Sequence, residues 1–181
     1  MTTTTTFVGA KGGVGTSTVA ALHALQLARH DETVRLTANT TADVEDLAAL
    51  LGMPTPDPGE VVNVAPSLTL ADHPDAAAHN VVDAGTDCFS DHYGPVYVVL
   101  RNDYLSLRRA LNVPRTTVGL VLITEPGRSL TRRDVGDVVP HRIAAELAVD
   151  PAIARAIDAG LLATRSFWTR LNLPASTTLT P

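Results

Sequence analysis

The stretch Thr4-Thr5-Thr6-Phe7-Val8-Gly9-Ala10-Lys11-Gly12-Gly13-Val14-Gly15-Thr16-Ser17-Thr18 decides how the rest of this chain is read. Its β-branched and aromatic opening predicts a strand over Thr4–Gly9. The glycines that follow let the backbone turn with positive φ. From Ser17 to His30 the apolar residues Val19, Leu22, Leu25 and Leu27 predict a helix, with Thr16, Ser17 and Thr18 expected to cap its free amides. A glycine loop that feeds a helix amino terminus gathers unpaired amides and the helix dipole at one point, which makes an anion site.

Working outward, the polar turn Asp31-Glu32 leads to a second predicted strand, Thr33–Thr37, so the opening reads as a βαβ unit with parallel pairing. Asp43–Gly52 is a short helix ended by glycine, and Met53–Gly59, with three prolines, is a surface turn. Val61–Val64 and Leu68–Ala71 are short apolar runs of open type. Asn80–Asp83 is a short strand ending in an acid, and Val96–Arg101 is a continuous apolar strand of the kind buried on both faces. A helix over Asp103–Asn112, a strand over Thr117–Thr124, a helix over Leu130–Val139, a last strand over Arg142–Val149 and a helix from Pro151 follow. This alternation predicts an α/β doubly wound domain with a mainly parallel sheet flanked by helices, in which ligands bind at the carboxyl ends of the strands. The glycine loop and Asp83 both fall there. Residues 1–181 are expected to form one domain with a frayed amino terminus and a carboxy-terminal helix or tail over 161–181.

Composition narrows the function. At 181 residues, 45% apolar and 18% charged, the chain suits one self-sufficient core. One cysteine, Cys88, forms neither an internal disulfide nor a thiolate zinc site, and the six histidines show no metal-ligand spacing. No apolar run reaches the roughly 20 residues of a membrane-spanning helix, and no secretory leader opens the chain, so a cytoplasmic protein is expected. A net charge of −5 lacks the global basic footprint of a dedicated nucleic-acid protein. Of the fourteen basic residues only Lys11 is a lysine, and it sits in the glycine loop.

Two chemistries use such a loop. Gly9-x-x-x-Gly13-x-Gly15 resembles the dinucleotide loop of a short-chain dehydrogenase, but that reaction needs a tyrosine and lysine four residues apart, and the one lysine is already in the loop. No acid for a ribose stands at Thr37-Ala38-Asn39 either. The other chemistry is a phosphate-binding P-loop. Lys11-Gly12-Gly13-Val14-Gly15-Thr16-Ser17-Thr18 resembles the deviant Walker-type ATPases of the ParA and MinD family, whose loop runs Lys-Gly-Gly-x-Gly-Lys-[Ser/Thr]-[Ser/Thr]. His79-Asn80-Val81-Val82-Asp83-Ala84-Gly85 is similar to the family's Walker B strand, and Val96–Leu111 to the strand and helix after it. Ala145-Glu146-Leu147-Ala148-Val149-Asp150-Pro151 with Ala156-Ile157-Asp158-Ala159-Gly160 is similar to its carboxy-terminal signature, in the style of the CpaE and TadZ-like polar localisation branch.

The resemblance implies ATP and Mg²⁺ as cofactors. It places Gly12, Gly13, Val14, Gly15, Thr16, Ser17 and Thr18 around the phosphates, Ser17 and Asp83 toward the metal, and Lys11 on the nucleotide of a facing protomer, with Lys11 and Asp83 as the catalytic pair. Three departures limit the activity expected. Thr16 stands where the Walker lysine belongs, a loss of about 1.5–3 kcal/mol in phosphate binding and more in the transition state. The Asp-x-Asp-Pro pattern at the end of strand two is missing, and Asp43, the nearest carboxylate, lies further along the chain. Ile123-Thr124-Glu125 replace an adenine-reading asparagine. The expectation is at most a slow ATPase.

Two basic groups bear on partners. Arg128, Arg132 and Arg133 surround a turn and helix start, and Arg165 and Arg170 flank Phe167 and Trp168. Either set is a candidate contact for DNA phosphates or a membrane interface, although two arginines make no stable membrane anchor. The function implied is nucleotide-dependent self-association, as a homodimer or larger assembly, in plasmid or chromosome segregation, on non-specific DNA or a DNA-bound adaptor. The alternative is a non-hydrolysing polar-localisation or assembly scaffold.

Overall fold

The computed structural model of the chain describes residues 3–30, 32–76, 78–87, 94–113 and 117–164. Their strands form one eight-stranded sheet. In chain order the elements are β1 (Thr4–Gly9), α1 (Thr16–Ala28), β2 (Val34–Ala38), α2 (Thr41–Leu51), β3 (Val61–Ala65), β4 (Leu68–Ala71), β5 (His79–Asp83), β6 (Val96–Arg101), α3 (Tyr104–Ala110), β7 (Thr117–Thr124), α4 (Arg132–Val138), β8 (Ile143–Ala148) and α5 (Pro151–Asp158). A single 3₁₀ turn over Leu162–Thr164 follows. The sheet order is β3-β4-β2-β5-β1-β6-β7-β8, and every neighbouring pair is parallel except β3 with β4. The doubly wound α/β architecture expected from the alternation is present, and the two runs of open type are an antiparallel edge hairpin.

β1 lies at the centre, between β5 and β6, where the direction of winding reverses. Val96–Arg101 is buried through its first five residues, as its unbroken apolar run requires. Alternation along the strands then sorts the core into two layers. Phe7, Leu36, Val81, Tyr97, Val121 and Leu147 face α1, α2 and α5. Val98, Leu100, Leu120 and Leu122 face α3 and α4 through Leu107, Val135 and Val139.

α1 is buried nearly all round, which is why its sequence shows only a weak apolar stripe. It carries His23 into the core at 1% exposure, edge-on to Phe7 with ring centroids 5.4 Å apart. Neither ring nitrogen of His23 meets a hydrogen-bond partner among the described residues. His79 lies 6.3 Å away and differs in being satisfied, by Thr5 Oγ1 at 3.0 Å and Glu32 Oε2 at 3.2 Å. Burial, with the His79 charge behind it, pushes the His23 imidazole down to about 3. Burial also lowers His79, against the Glu32 carboxylate that raises it.

The α2 and α5 ends meet through two glycines in the left-handed region, Gly52 at φ 72° and Gly160 at φ 62°. A Cβ on Gly52 would run into the Gly160 carbonyl oxygen. Gly52→Ala is therefore expected to lose about 2–4 kcal/mol of stability, from a left-handed alanine plus the clash, as read by urea unfolding.

His23 makes a second prediction. Between pH 6.5 and about 3 the unfolded chain binds a proton at this site that the folded chain refuses, so stability is full above pH 6.5 and falls with acidification through that window. The expected slope from this group approaches about 1.4 kcal/mol per pH unit, with His79 adding in the same direction. Urea midpoints measured from pH 7 to 4 should fall less steeply in His23→Leu than in the native chain.

Candidate functional site

β1 delivers the glycine loop into the crevice at the carboxyl ends of the strands. The Gly9 amide donates to the Gly85 carbonyl at 2.7 Å and the Ala10 amide to the Val99 carbonyl at 2.8 Å, so the loop is fastened to both neighbouring strands. Gly9 has no room for a side chain: a Cβ would lie 2.5 Å from Thr16 Oγ1 and 3.1 Å from the Lys11 carbonyl oxygen. Gly13 and Gly15 turn the chain with φ of 73° and 100°.

The expected capping of α1 by Thr16, Ser17 and Thr18 is corrected by the structure. Gly15 is the N-cap, Thr16 is the first helical residue, and no side chain caps the helix. The physical reason is the left-handed turn at Gly15, which carries the three hydroxyl side chains into the helix instead of in front of it. The other four α-helices are each capped by a side chain, Thr40 for α2, Asp103 for α3, Thr131 for α4 and Asp150 for α5. The α1 amino terminus thus keeps its dipole and amides open toward the loop.

Asp83 ends β5 beside this opening and is 0% exposed. Its Oδ1 accepts the Gly85 amide at 3.0 Å, and its Oδ2 has no hydrogen-bond partner among the described residues. Burial pushes the carboxyl above its ordinary range, the Asp43 and Asp46 charges adding to the rise, while the Ser17 hydroxyl and the Gly85 amide pull it back. A buried carboxylate oxygen without a donor, next to a hydroxyl, suits a hydrated cation. Among the described residues no three His, Cys, Asp or Glu side chains gather as a metal site. That donor set fits Mg²⁺, which keeps several waters and shares its shell with phosphates rather than relying on a protein cage.

Asp43 comes closer than its position in the sequence implied. The Asn39 amide bonds the Asp83 carbonyl at 3.1 Å, which brings the start of α2 over β5. Thr40 caps the helix and its hydroxyl donates to Asp43 Oδ2 at 2.6 Å. The carboxylate then stands 3.6 Å from where a Gly85 Cβ would be. Asp43 thus stands near the carboxyl end of β5 from the first turn of a helix, a placement that follows from β2–β5 pairing.

On the other side of the loop, Lys11 Nζ lies 3.8 Å from Asp103 Oδ2. Desolvation pushes Asp103 up, but the Ser106 amide and hydroxyl, Lys11 and the Leu105 amide outweigh it and hold the carboxyl below its usual range. Arg101, not among the site residues expected from the motifs, ends β6, and its Nε donates to the Val14 carbonyl at 3.4 Å. With Gly15, Thr18, Ile123, Leu147 and Ile153 it lines a mainly apolar hollow of about 120 Å³ beside the loop. Asn102 ties β6 to the β7–α4 connection, its Oδ1 accepting the Glu125 amide at 2.9 Å and its Nδ2 donating to Leu130 O at 3.1 Å. A charge at the end of the strand beside the loop strand was the available signal for Arg101.

The basic group before and on α4 is charge-compensated. Arg128 pairs with Glu125 at 2.7 Å, Arg132 with Glu146 at 3.4 Å and Arg133 with Asp137 at 3.6 Å. Arg132 and Arg133 still border an open concavity with His141 and Arg142. Arg165, Phe167, Trp168 and Arg170, and also Cys88, lie outside the described residues. No described helix is long and apolar enough to cross a membrane.

No protein-family model and no curated protein matches the sequence. Solved structures do match the fold. A ParA family ATPase from Chlorobium tepidum superposes with a TM-score of 0.66 at 21% identity over 90% of each chain. The septum site-determining protein MinD from Pyrococcus horikoshii, in complex with Mg-ADP, gives 0.70 at 15% identity over 90% of this chain and 88% of that one. A putative plasmid partition protein from Borrelia burgdorferi bound to AMPPNP gives 0.58 at 14% identity, over 87% and 89%. The chain has the P-loop fold of the ParA and MinD ATPases, in agreement with the resemblance drawn from its motifs.

Asp83→Asn should remove an unpaired buried acid, leaving the ligand-free protein as stable as the native chain or about 1 kcal/mol more so. The same change should abolish the extra melting temperature that Mg²⁺ adds to ATP. Asp43→Asn should reduce that Mg²⁺-dependent increment without abolishing it. Thermal melts with ATP, with and without EDTA, separate these outcomes.

Proposed function

We propose that this protein is a ParA-like nucleotide-binding switch that self-associates through its P-loop face and acts in DNA segregation, with weak or no ATP hydrolysis. The observation that carries the reading is the uncapped, glycine-built start of α1 facing the unpaired Asp83 oxygen. The amides suit an anion and the carboxylate suits a cation, and a Mg²⁺–nucleotide is both. Ser17 and Asp83 would hold the metal and its water, and residues 12–18 would hold the phosphates. Mg²⁺ held by these residues would screen phosphate charge.

Self-association is supported by what surrounds Lys11. Tyr104 and Leu105, next to its partner Asp103, are 68% and 58% exposed, an aromatic and an aliphatic side chain at the mouth of a charged site. Lys11 in this arrangement is held inside its own chain by Asp103 at 3.8 Å. Reaching the nucleotide of a second protomer requires exchanging that contact for phosphate, so nucleotide and association are linked. The likeness to a plasmid partition protein supports a segregation role, and the α4 concavity with Arg132, Arg133 and Arg142 supports contact with DNA or a DNA-bound adaptor. We take residues 1–181 as one domain, with 161–181 as its tail.

Thr16 favours the second reading, a scaffold of the polar-localisation kind that keeps the dimer face but does not turn over nucleotide. Light scattering at matched protein concentration distinguishes the two. ATP with Mg²⁺ should raise the mass of the native chain, and Lys11→Ala should abolish the rise. A mass indifferent to nucleotide in both proteins would overturn the switch and leave the scaffold.

A further inference from the structure

We propose that Arg101 supplies, from the neighbouring strand, the positive charge at the phosphate end of the loop that position 16 lacks. The inference rests on the nucleotide-binding reading above and adds a residue to it.

Thr16 does not serve as a polar stand-in for a lysine. It is 8% exposed, and its Oγ1 occupies the space where a Gly9 side chain would be, so the hydroxyl is turned into the base of the loop. The loop therefore presents amides and a helix dipole but no charge of its own except Lys11, which is engaged with Asp103.

Strand alternation brings a second cation to the spot. Tyr97 and Val99 project into the core layer on the α1 side, and Val98 and Leu100 into the opposite layer, so Arg101 emerges on the α1 side. The pairing Gly9↔Val99 in the β1–β6 ladder sets Arg101 two residues beyond the end of β1, at the height of the loop. There its Nε bonds the Val14 carbonyl at 3.4 Å, which anchors the guanidinium and leaves its two terminal amino groups available. Gly15 and Thr18, the cap and the first turn of α1, line the same hollow. Arg101 forms no ion pair among the described residues. Asp150, an acid that also lines the hollow, accepts the Ala152 amide as the α5 cap.

A guanidinium that forms no ion pair among the described residues and an uncapped helix dipole, both positive and facing one hollow, together favour an anion there. Arginine suits that place because its planar fork can hold a phosphate oxygen with one edge while another edge stays on the loop carbonyl.

The test is equilibrium titration of the full chain with a fluorescent ATP analogue and Mg²⁺, with ATP, ADP and adenosine as competitors. Arg101→Met, which keeps the aliphatic stem, should weaken ATP and ADP by about tenfold or more and leave adenosine within twofold. Arg101→Lys should recover part of the loss, and Thr16→Lys introduced into Arg101→Met should recover most of it, because the charge then returns at the vacated position. Circular dichroism melts of each variant establish that it is folded. Native-like ATP affinity in a folded Arg101→Met protein overturns the inference alone, and so does an equal loss for adenosine, which would place Arg101 at the base. Absence of nucleotide binding by the native chain overturns the nucleotide reading and the inference together.

Discussion

Everything at the site depends on how β1 is clamped. The Gly9 amide on Gly85 and the Ala10 amide on Val99 force the chain to leave the sheet at the crevice between β5 and β6. Because Gly9 must accept Thr16 against its α-carbon, the loop folds back tightly enough for α1 to start directly over the strand end. The dipole of the most buried helix is then aimed at a point flanked by the ends of β5 and β6. Asp83 arrives from one of these strands and Arg101 from the other, so acid and base approach the same loop from opposite sides.

The electrostatics around that point are unbalanced in a patterned way. Three acids, Asp83, Asp43 and Asp46, act on one flank, where burial already raises Asp83. Arg101 and the open helix terminus act on the other. Two cationic groups away from the crevice are paired: Arg35 is buried against Thr69 Oγ1, the His73 carbonyl and the Asp75 carboxylate, and the α4 arginines Arg132 and Arg133 each have an acid. Lys11, paired to Asp103 at the rim, stands between this interior site and the exposed Tyr104 and Leu105.

Much of the fold was legible because its signals are local. Thr4–Gly9, Val96–Arg101 and Thr117–Thr124 read as strands from continuous β-branched and apolar runs, and their ends coincide with those observed. Helix ends were less legible: α2 starts at Thr41 rather than Asp43, since Thr40 rather than an acid is the cap. The type of Val61–Ala65 and Leu68–Ala71 stayed open because a four- or five-residue apolar run has no period of its own, and antiparallel pairing at the sheet edge decided it. His23 gave no sign of its burial, since α1 is apolar on all sides and its neighbours do not mark one inward face.

The sequence by itself determined the order of strands and helices, the glycine loop with its lone lysine, the acid at the end of β5 and the absence of a lysine at Thr16. All of these follow from composition and spacing within a few residues, where covalent geometry sets what the backbone can do. The tertiary structure decided which residues from distant segments stand around the loop. Asp43 lies forty residues before Asp83 and reaches it only through the β2–β5 ladder. Arg101 reaches Val14 only because β6 lies beside β1 and strand alternation turns its side chain toward α1. Long-range pairing and the two-residue period of a strand, neither of which a local stretch encodes alone, are the physical reason that the loop was visible in the sequence and its charged surroundings were not.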